Sequence, residues 1–132
     1  MEGVKTCQAS AASHVPTFLM GAAAVALDCE KERKSFYESF AERRDVFHAL
    51  LQDIPGIIAP KPEGAFYILV DITGTGMDDI EFATRALDEA NVQLVPGSLM
   101  PGGEGLVRMS YGTNVDQIRE GCKRLKDWLQ GL

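Results

Sequence analysis

The sequence predicts an α+β fold with elements in the order ααβαββα, and three observations point to it. Ala65 to Ile72 is a near-continuous apolar run between Gly64 and Gly74. That predicts a central strand buried on both faces. Leu106 to Tyr111 instead alternates, with Val107, Met109 and Tyr111 on one face and Arg108 and Ser110 on the other, as a half-buried strand does. The segments around these two runs carry apolar residues at helical spacing.

Taken in order, residues 1–14 are rich in Ala and Ser without a clear period and read as an arm or crossover segment, leaving residues 15–132 as a single domain. Pro16 suits the first turn of a helix running to about Leu27, where its missing N–H costs nothing. A longer helix from about Cys29 to Gln52 places Phe36, Phe40, Phe47, Leu50 and Leu51 on one stripe, with a charged opposite face. Pro55 and Gly56 end it. Asp78 and Glu81 have capping-box spacing, and Ile80, Ala83, Thr84 and Leu87 follow with helical period. Val92 to Val95 reads as a short strand leading into Pro96-Gly97. Asn114 and Gln117 cap a final helix whose inner stripe is Ile118, Cys122, Leu125 and Leu129.

Composition narrows the function classes. The 132 residues are 45% hydrophobic, enough for one core. Thirteen basic against nineteen acidic side chains give a net charge of -6. Such a surface opposes phosphate backbones and anionic lipid, so nucleic-acid and membrane partners are not expected. Cys7, Cys29 and Cys122 are an odd, irregularly spaced set, which fits reduced thiols better than a disulfide framework. The apolar run from Val15 to Leu27 is too short to span a bilayer and is interrupted by Pro16 and Gly21. Glu2 stands where a signal peptide would start with positive charge. A cytoplasmic protein is the expectation.

Four features invite a functional reading, and each has a plain structural one. Arg108 suits a planar, bidentate grip on a carboxylate that lysine cannot imitate, yet on pattern alone it reads first as a solvent-facing strand residue, the usual fate of arginine. Gly102-Gly103-Glu104-Gly105 reads as a long hairpin turn ahead of a phosphate cradle. His14 and His48 are isolated, with no ligand at metal-binding spacing, so no metal residue is assigned. Arg43-Arg44 lies beside Glu42 and Asp45, as a solvated, ion-paired helix face does.

Pro62-Glu63-Gly64-Ala65-Phe66-Tyr67, the turn Val95-Pro96-Gly97-Ser98, and Gly105 through Arg108 to Gly112 stand in an order and spacing that is similar to a known pattern. Between about Val15 and Leu129 the chain resembles the C-terminal small domain of the class I/II, fold-type I, pyridoxal-phosphate-dependent aminotransferases, aspartate aminotransferase-like. Pro16-Thr17-Phe18 followed by Ala22 to Leu27 looks like that family's crossover into the small domain, although Met20 stands where many members have glutamine.

The resemblance implies a small, mainly antiparallel sheet packed with helices, and a parent enzyme moving an amino group between an amino acid and a 2-oxo acid. It makes Arg108 the residue that binds the substrate α-carboxylate, with Phe66, Tyr67 and Ser110 packed near it. Pyridoxal phosphate is implied for the parent, with none expected on this chain alone. The six lysines, Lys5, Lys31, Lys34, Lys61, Lys123 and Lys126, include none in the family's Ser-x-x-Lys setting. No catalytic or cofactor-binding residue is therefore assigned, and the isolated chain is expected to be inactive. The implied partners are a large domain and, for the parent, a second copy in a homodimer. The small-domain motifs leave open another fold-type I activity, such as a lyase or decarboxylase. A free-standing small-molecule-binding module without catalysis also stays open. They do not specify the amino acid.

Overall fold

The structure is a computed structural model and describes residues 3–4 and 15–132. The expected arm therefore lies outside the described residues except at residues 3 and 4. The chain forms two compact units, Met1–Tyr37 and Glu38–Leu132.

In the first unit, helix α1 spans Thr17–Asp28, with Pro16 at the N-cap, one position before the first turn expected for it. Leu19 N–H donates to the Pro16 carbonyl at 2.9 Å, closing that turn. No residue of α1 is buried, although Phe18, Met20, Val25 and Leu27 are among its side chains. Helix α2 spans Glu30–Leu51, and its first two turns belong to this unit. Phe36, expected on the inner stripe, is 67% exposed. The helical period continues past the point where there is a core for it to face.

In the second unit α2 becomes a core helix, with Phe47 and Leu51 buried and Phe40 and Leu50 packed against the cluster. The remaining elements are β1 (Tyr67–Asp71), α3 (Asp79–Ala90), β2 (Val95–Pro96), β3 (Leu106–Ser110) and α4 (Val115–Gln130). Short 3-10 turns follow β1 at Thr73–Thr75 and β2 at Gly97–Leu99. The three strands form an antiparallel sheet in the order β1-β3-β2.

That order corrects one expectation. β1 is an edge strand rather than a central one, and its outer side is paired only by an isolated bridge from Ile58 to Asp71 among the described residues. It is buried on one face only. Ile68, Val70 and Ile72 join Val107, Met109 and Tyr111 in the core, while Leu69 is 37% exposed and Tyr67 half-buried. β3 alternates as its sequence predicts.

The helix caps follow side-chain chemistry. Asp78 accepts the Glu81 N–H at 2.8 Å and Asn114 accepts the Gln117 N–H at 2.9 Å, each satisfying an otherwise orphan donor. α4 buries Ile118, Cys122 and Leu125, with Leu129 half-buried, as its stripe predicts. The stripe expected for α3 is corrected. Ile80, Thr84 and Leu87 are exposed, and Phe82, Ala83, Ala86 and Ala90 face inward. Small alanines let α3 lie close to the core, and Phe82 packs edge-on against Trp128 of α4 with centroids 5.3 Å apart. Among the described residues no helix is long and apolar enough to cross a membrane.

Candidate functional site

The uncovered sheet face carries Tyr67, Leu69, Leu106, Arg108 and Ser110. Arg108 lies in the middle strand, opposite Leu69 of β1 and Val95 of β2. Its position follows from the alternation of β3: Val107 and Met109 are drawn into the core, which turns Arg108 outward. The side chain is half-buried, as suits an arginine whose stem can cover apolar surface while its head stays in water. The guanidinium carbon sits 5.4 Å from the centroid of the Tyr67 ring, within cation–π range. Among the described residues it makes no salt bridge, whereas Arg44, Arg85 and Arg124 each pair with a carboxylate.

The other residues expected near Arg108 are brought together. Phe66 meets Tyr67 edge-on, with centroids 5.5 Å apart. The Ser110 hydroxyl donates to the Phe66 carbonyl at 3.3 Å and accepts the Gly112 N–H at 3.2 Å. Ser110 thus ties the chain entering β1 to the chain leaving β3 at one end of the ladder, and its hydroxyl is occupied by backbone.

Two contributors escape the sequence pattern. Asp79 at the start of α3 is 5% exposed, and its carboxylate accepts the Ser98 N–H at 2.7 Å. Hydrogen bonds from Ser98, its hydroxyl and its backbone N–H, hold the carboxyl below its ordinary range against the opposing effect of burial. The available signal is the doubled Asp78-Asp79, since a cap needs only one of them. The second is the Tyr111 hydroxyl, which donates to the Ala65 carbonyl at 2.9 Å. A tyrosine on the inward face of a strand needs a partner for its hydroxyl, but sequence does not say which.

The glycine-rich turn is a packing device. A Cβ on Gly97 would stand 2.0 Å from the Gly103 carbonyl oxygen and 2.5 Å from that of Leu106. The two turns therefore touch backbone to backbone, leaving no cradle between them. The remaining candidates have local occupations. Arg44 and Lys61 each lie 2.9 Å from Asp45, whose carboxyl their hydrogen bonds pull down to about 2. Arg43 covers the Phe40 ring at 4.8 Å, and His48 is in contact with the Gln52 amide at 3.2 Å. His14 lies outside the described residues. No group of three or more potential metal ligands assembles among the described residues.

These residues do not by themselves fit pyridoxal phosphate. Lys31, Lys34, Lys61 and Lys123 are exposed and Lys126 is half-buried on α4, so no described lysine is enclosed where a Schiff base could be shielded from water. Lys5 lies outside the described residues. Pyridoxal phosphate would need residues from elsewhere.

Comparison with known proteins settles the family. The sequence profile of "Aminotransferase class I and II" matches residues 2–125. The chain belongs to the class I and II aminotransferases. An aspartate aminotransferase of Pyrococcus horikoshii is 35% identical over 122 residues, covering 89% of this chain and 31% of that protein. An arginine–pyruvate transaminase of Pseudomonas aeruginosa is 32% identical over 112 residues, covering 83% of this chain and 28% of its own length. The crystal structure of an aromatic aminotransferase from Pyrococcus horikoshii superimposes with a TM-score of 0.77 at 36% identity, covering 87% of this chain and 32% of that one. The chain thus spans about a third of the length of the relatives it matches.

Proposed function

We propose that this chain is the C-terminal part of a pyridoxal-phosphate-dependent aminotransferase, and that it supplies the arginine gripping the α-carboxylate of the substrate. The observation that carries the reading is the setting of Arg108. It stands in the middle of an open sheet face, over the Tyr67 ring, without a salt bridge among the described residues. A carboxylate docked there would receive two parallel N–H donors from the guanidinium fork. Leu69 and Val95, flanking Arg108 across the sheet, would limit water around the pair and strengthen it.

In the parent protein the reaction would transfer an amino group between an amino acid and a 2-oxo acid. Arg108 would act by orientation, fixing the substrate relative to groups on the missing large domain. The lysine and cofactor pocket would lie in that domain, which comprises most of the length not spanned here, and the parent would be a cytoplasmic homodimer. The chain alone would not turn over. Membership of the family and the one-third coverage of its relatives support this division.

The test is Arg108→Lys, introduced both into this chain and into the parent. A carboxylate clamp contributes little to the fold, so the stability of the isolated chain should change by less than about 0.5 kcal/mol. In the parent, kcat/KM should fall for every amino acid, because all share the α-carboxylate. A destabilised chain with undiminished turnover would make Arg108 structural.

A further inference from the structure

We propose that Tyr111 is the positioning residue of the Arg108 site, acting through its hydroxyl on the left-handed turn at Ala65. The inference deepens the reading of Arg108 as the carboxylate clamp and rests on it for its effect on turnover. Its geometry can be tested without any carboxylate.

The starting point is the backbone at Ala65. Its φ is +63°, a conformation in which a Cβ crowds the following carbonyl and which residues other than glycine adopt at a cost. Something must hold it. Ala65 itself is exposed and offers no packing of its own, while the Tyr111 hydroxyl donates to its carbonyl at 2.9 Å, with the Gly64 carbonyl at 3.4 Å. The next residue is held from the same place. Tyr111 N–H donates to the Phe66 carbonyl at 2.9 Å.

The donor is itself immobile. Tyr111 is 1% exposed, and its ring packs against Phe47 at 6.1 Å and Phe40 at 6.5 Å. A phenolic hydroxyl is protonated at neutral pH and so donates, and burial raises its pKa further. The path from there to the site is short. Ala65 leads directly into Phe66 and Tyr67, Phe66 meets Tyr67 edge-on, and the Tyr67 ring lies under the Arg108 guanidinium. A turn at Ala65 that relaxed to negative φ would redirect the chain entering β1 and move Tyr67 away from Arg108. The aromatic ring of Tyr111 serves the core, and phenylalanine would serve it equally. The hydroxyl serves the turn.

The test uses the 132-residue chain labelled with 15N and reads the Arg108 Nε–Hε resonance, assigned by its disappearance in Arg108→Lys. In Tyr111→Phe the resonance should lose the ring-current displacement given by Tyr67 and move toward that of an exposed arginine. Adding Ala65→Gly should restore it, because glycine takes positive φ without strain. Ala65→Val, which leaves Tyr111 intact but disfavours the turn, should displace it as Tyr111→Phe does. This exposed-site variant decides the matter if Tyr111→Phe fails to fold. An unmoved resonance in Ala65→Val or in folded Tyr111→Phe, or no restoration by glycine, would overturn the proposal.

In the parent enzyme Tyr111→Phe should raise KM for the amino acid on the order of fivefold, the factor of one neutral hydrogen bond, with kcat little changed. A displaced and rescued resonance with an unchanged KM would uphold the positioning and remove the clamp reading of Arg108 instead.

Discussion

The carboxylate of Asp79 accepts the backbone N–H of Ser98 at 2.7 Å from a position that is 5% exposed, tying the first turn of α3 to the turn that follows β2. That turn sets the path of the chain into β3 and hence the placement of Arg108. Asp79→Asn keeps an acceptor oxygen but loses the charge, and should cost about 1–1.5 kcal/mol at neutral pH, the difference between a charged and a neutral hydrogen bond. The pH dependence has a definite sign. The folded carboxyl lies below its unfolded value near 3.8, so its contribution is present above that value and is lost as pH falls through the folded one. Urea titrations between pH 6 and pH 3 should show the gap between wild type and Asp79→Asn narrowing. A gap that widened on acidification would contradict the assignment.

Two glycines in this protein should respond in opposite ways to alanine. At Gly97 the added Cβ would fall 2.0 Å from a backbone oxygen that cannot move aside, so Gly97→Ala should destabilise by about 3 kcal/mol. At Gly121, inside α4, nothing lies within 4 Å of the added Cβ. Gly121→Ala should stabilise by about 0.5–1 kcal/mol through helix propensity. Thermal melts of both variants check the pair, and similar shifts of the same sign would refute the close contact of the two turns.

Burial makes a further distinction among the cysteines. The Cys122 thiol is 6% exposed and is pushed up to about 12 by the loss of solvation, so almost none of it is thiolate at neutral pH. Iodoacetamide labelling followed by peptide mapping should leave Cys122 unmodified in the native chain and modify it fully in denaturant. Labelling of Cys122 in the native chain at the rate of a free thiol would show that the α4 face opens.

What the sequence made legible, and what it did not, divides by how many faces an element presents to this chain's own core. α4 has one apolar stripe and one polar face, so Ile118, Cys122 and Leu125 could be placed inward directly. β3 alternates, and its arginine could be placed outward for the same reason. α3 carries two apolar faces. Ile80 and Leu87 are the bulkier residues, yet the alanine face with Phe82 is the buried one, because small residues permit the closer approach. β1 was harder still. Its continuous run matches a strand covered on both sides, but only Ile68, Val70 and Ile72 are covered here, and the open face is the one carrying Tyr67 beside Arg108.

The site divides similarly. An arginine on the outward face of a strand is visible in the alternation of residue types. Its stacking on Tyr67 depends on the register between β1 and β3, and the Asp79–Ser98 and Tyr111–Ala65 contacts join residues 19 and 46 positions apart. Nothing in local periodicity encodes such pairs. The positive φ at Ala65 is likewise invisible where glycine is absent.

The lysines give a prediction about the cofactor. The described lysines, exposed apart from the half-buried Lys126, have no enclosing pocket, and such ammonium groups react with an aldehyde weakly and without preference. Incubation of the isolated chain with pyridoxal phosphate, borohydride reduction and peptide mapping should give scattered, substoichiometric labelling. One dominant lysine labelled to completion would place a cofactor site in this chain and undo the proposed division of labour.

The claim that Arg108 grips the α-carboxylate is tested most directly by changing both partners at once in the parent enzyme. The measurement is kcat/KM for an amino acid and for its α-carboxamide, with Arg108 and with Arg108→Ala. Removing the arginine should cost the amino acid a loss on the order of 2–5 kcal/mol. The carboxamide should lose little further, so the two changes are strongly coupled. Equal losses for both substrates would mean that Arg108 does not touch the carboxylate, and would contradict the account.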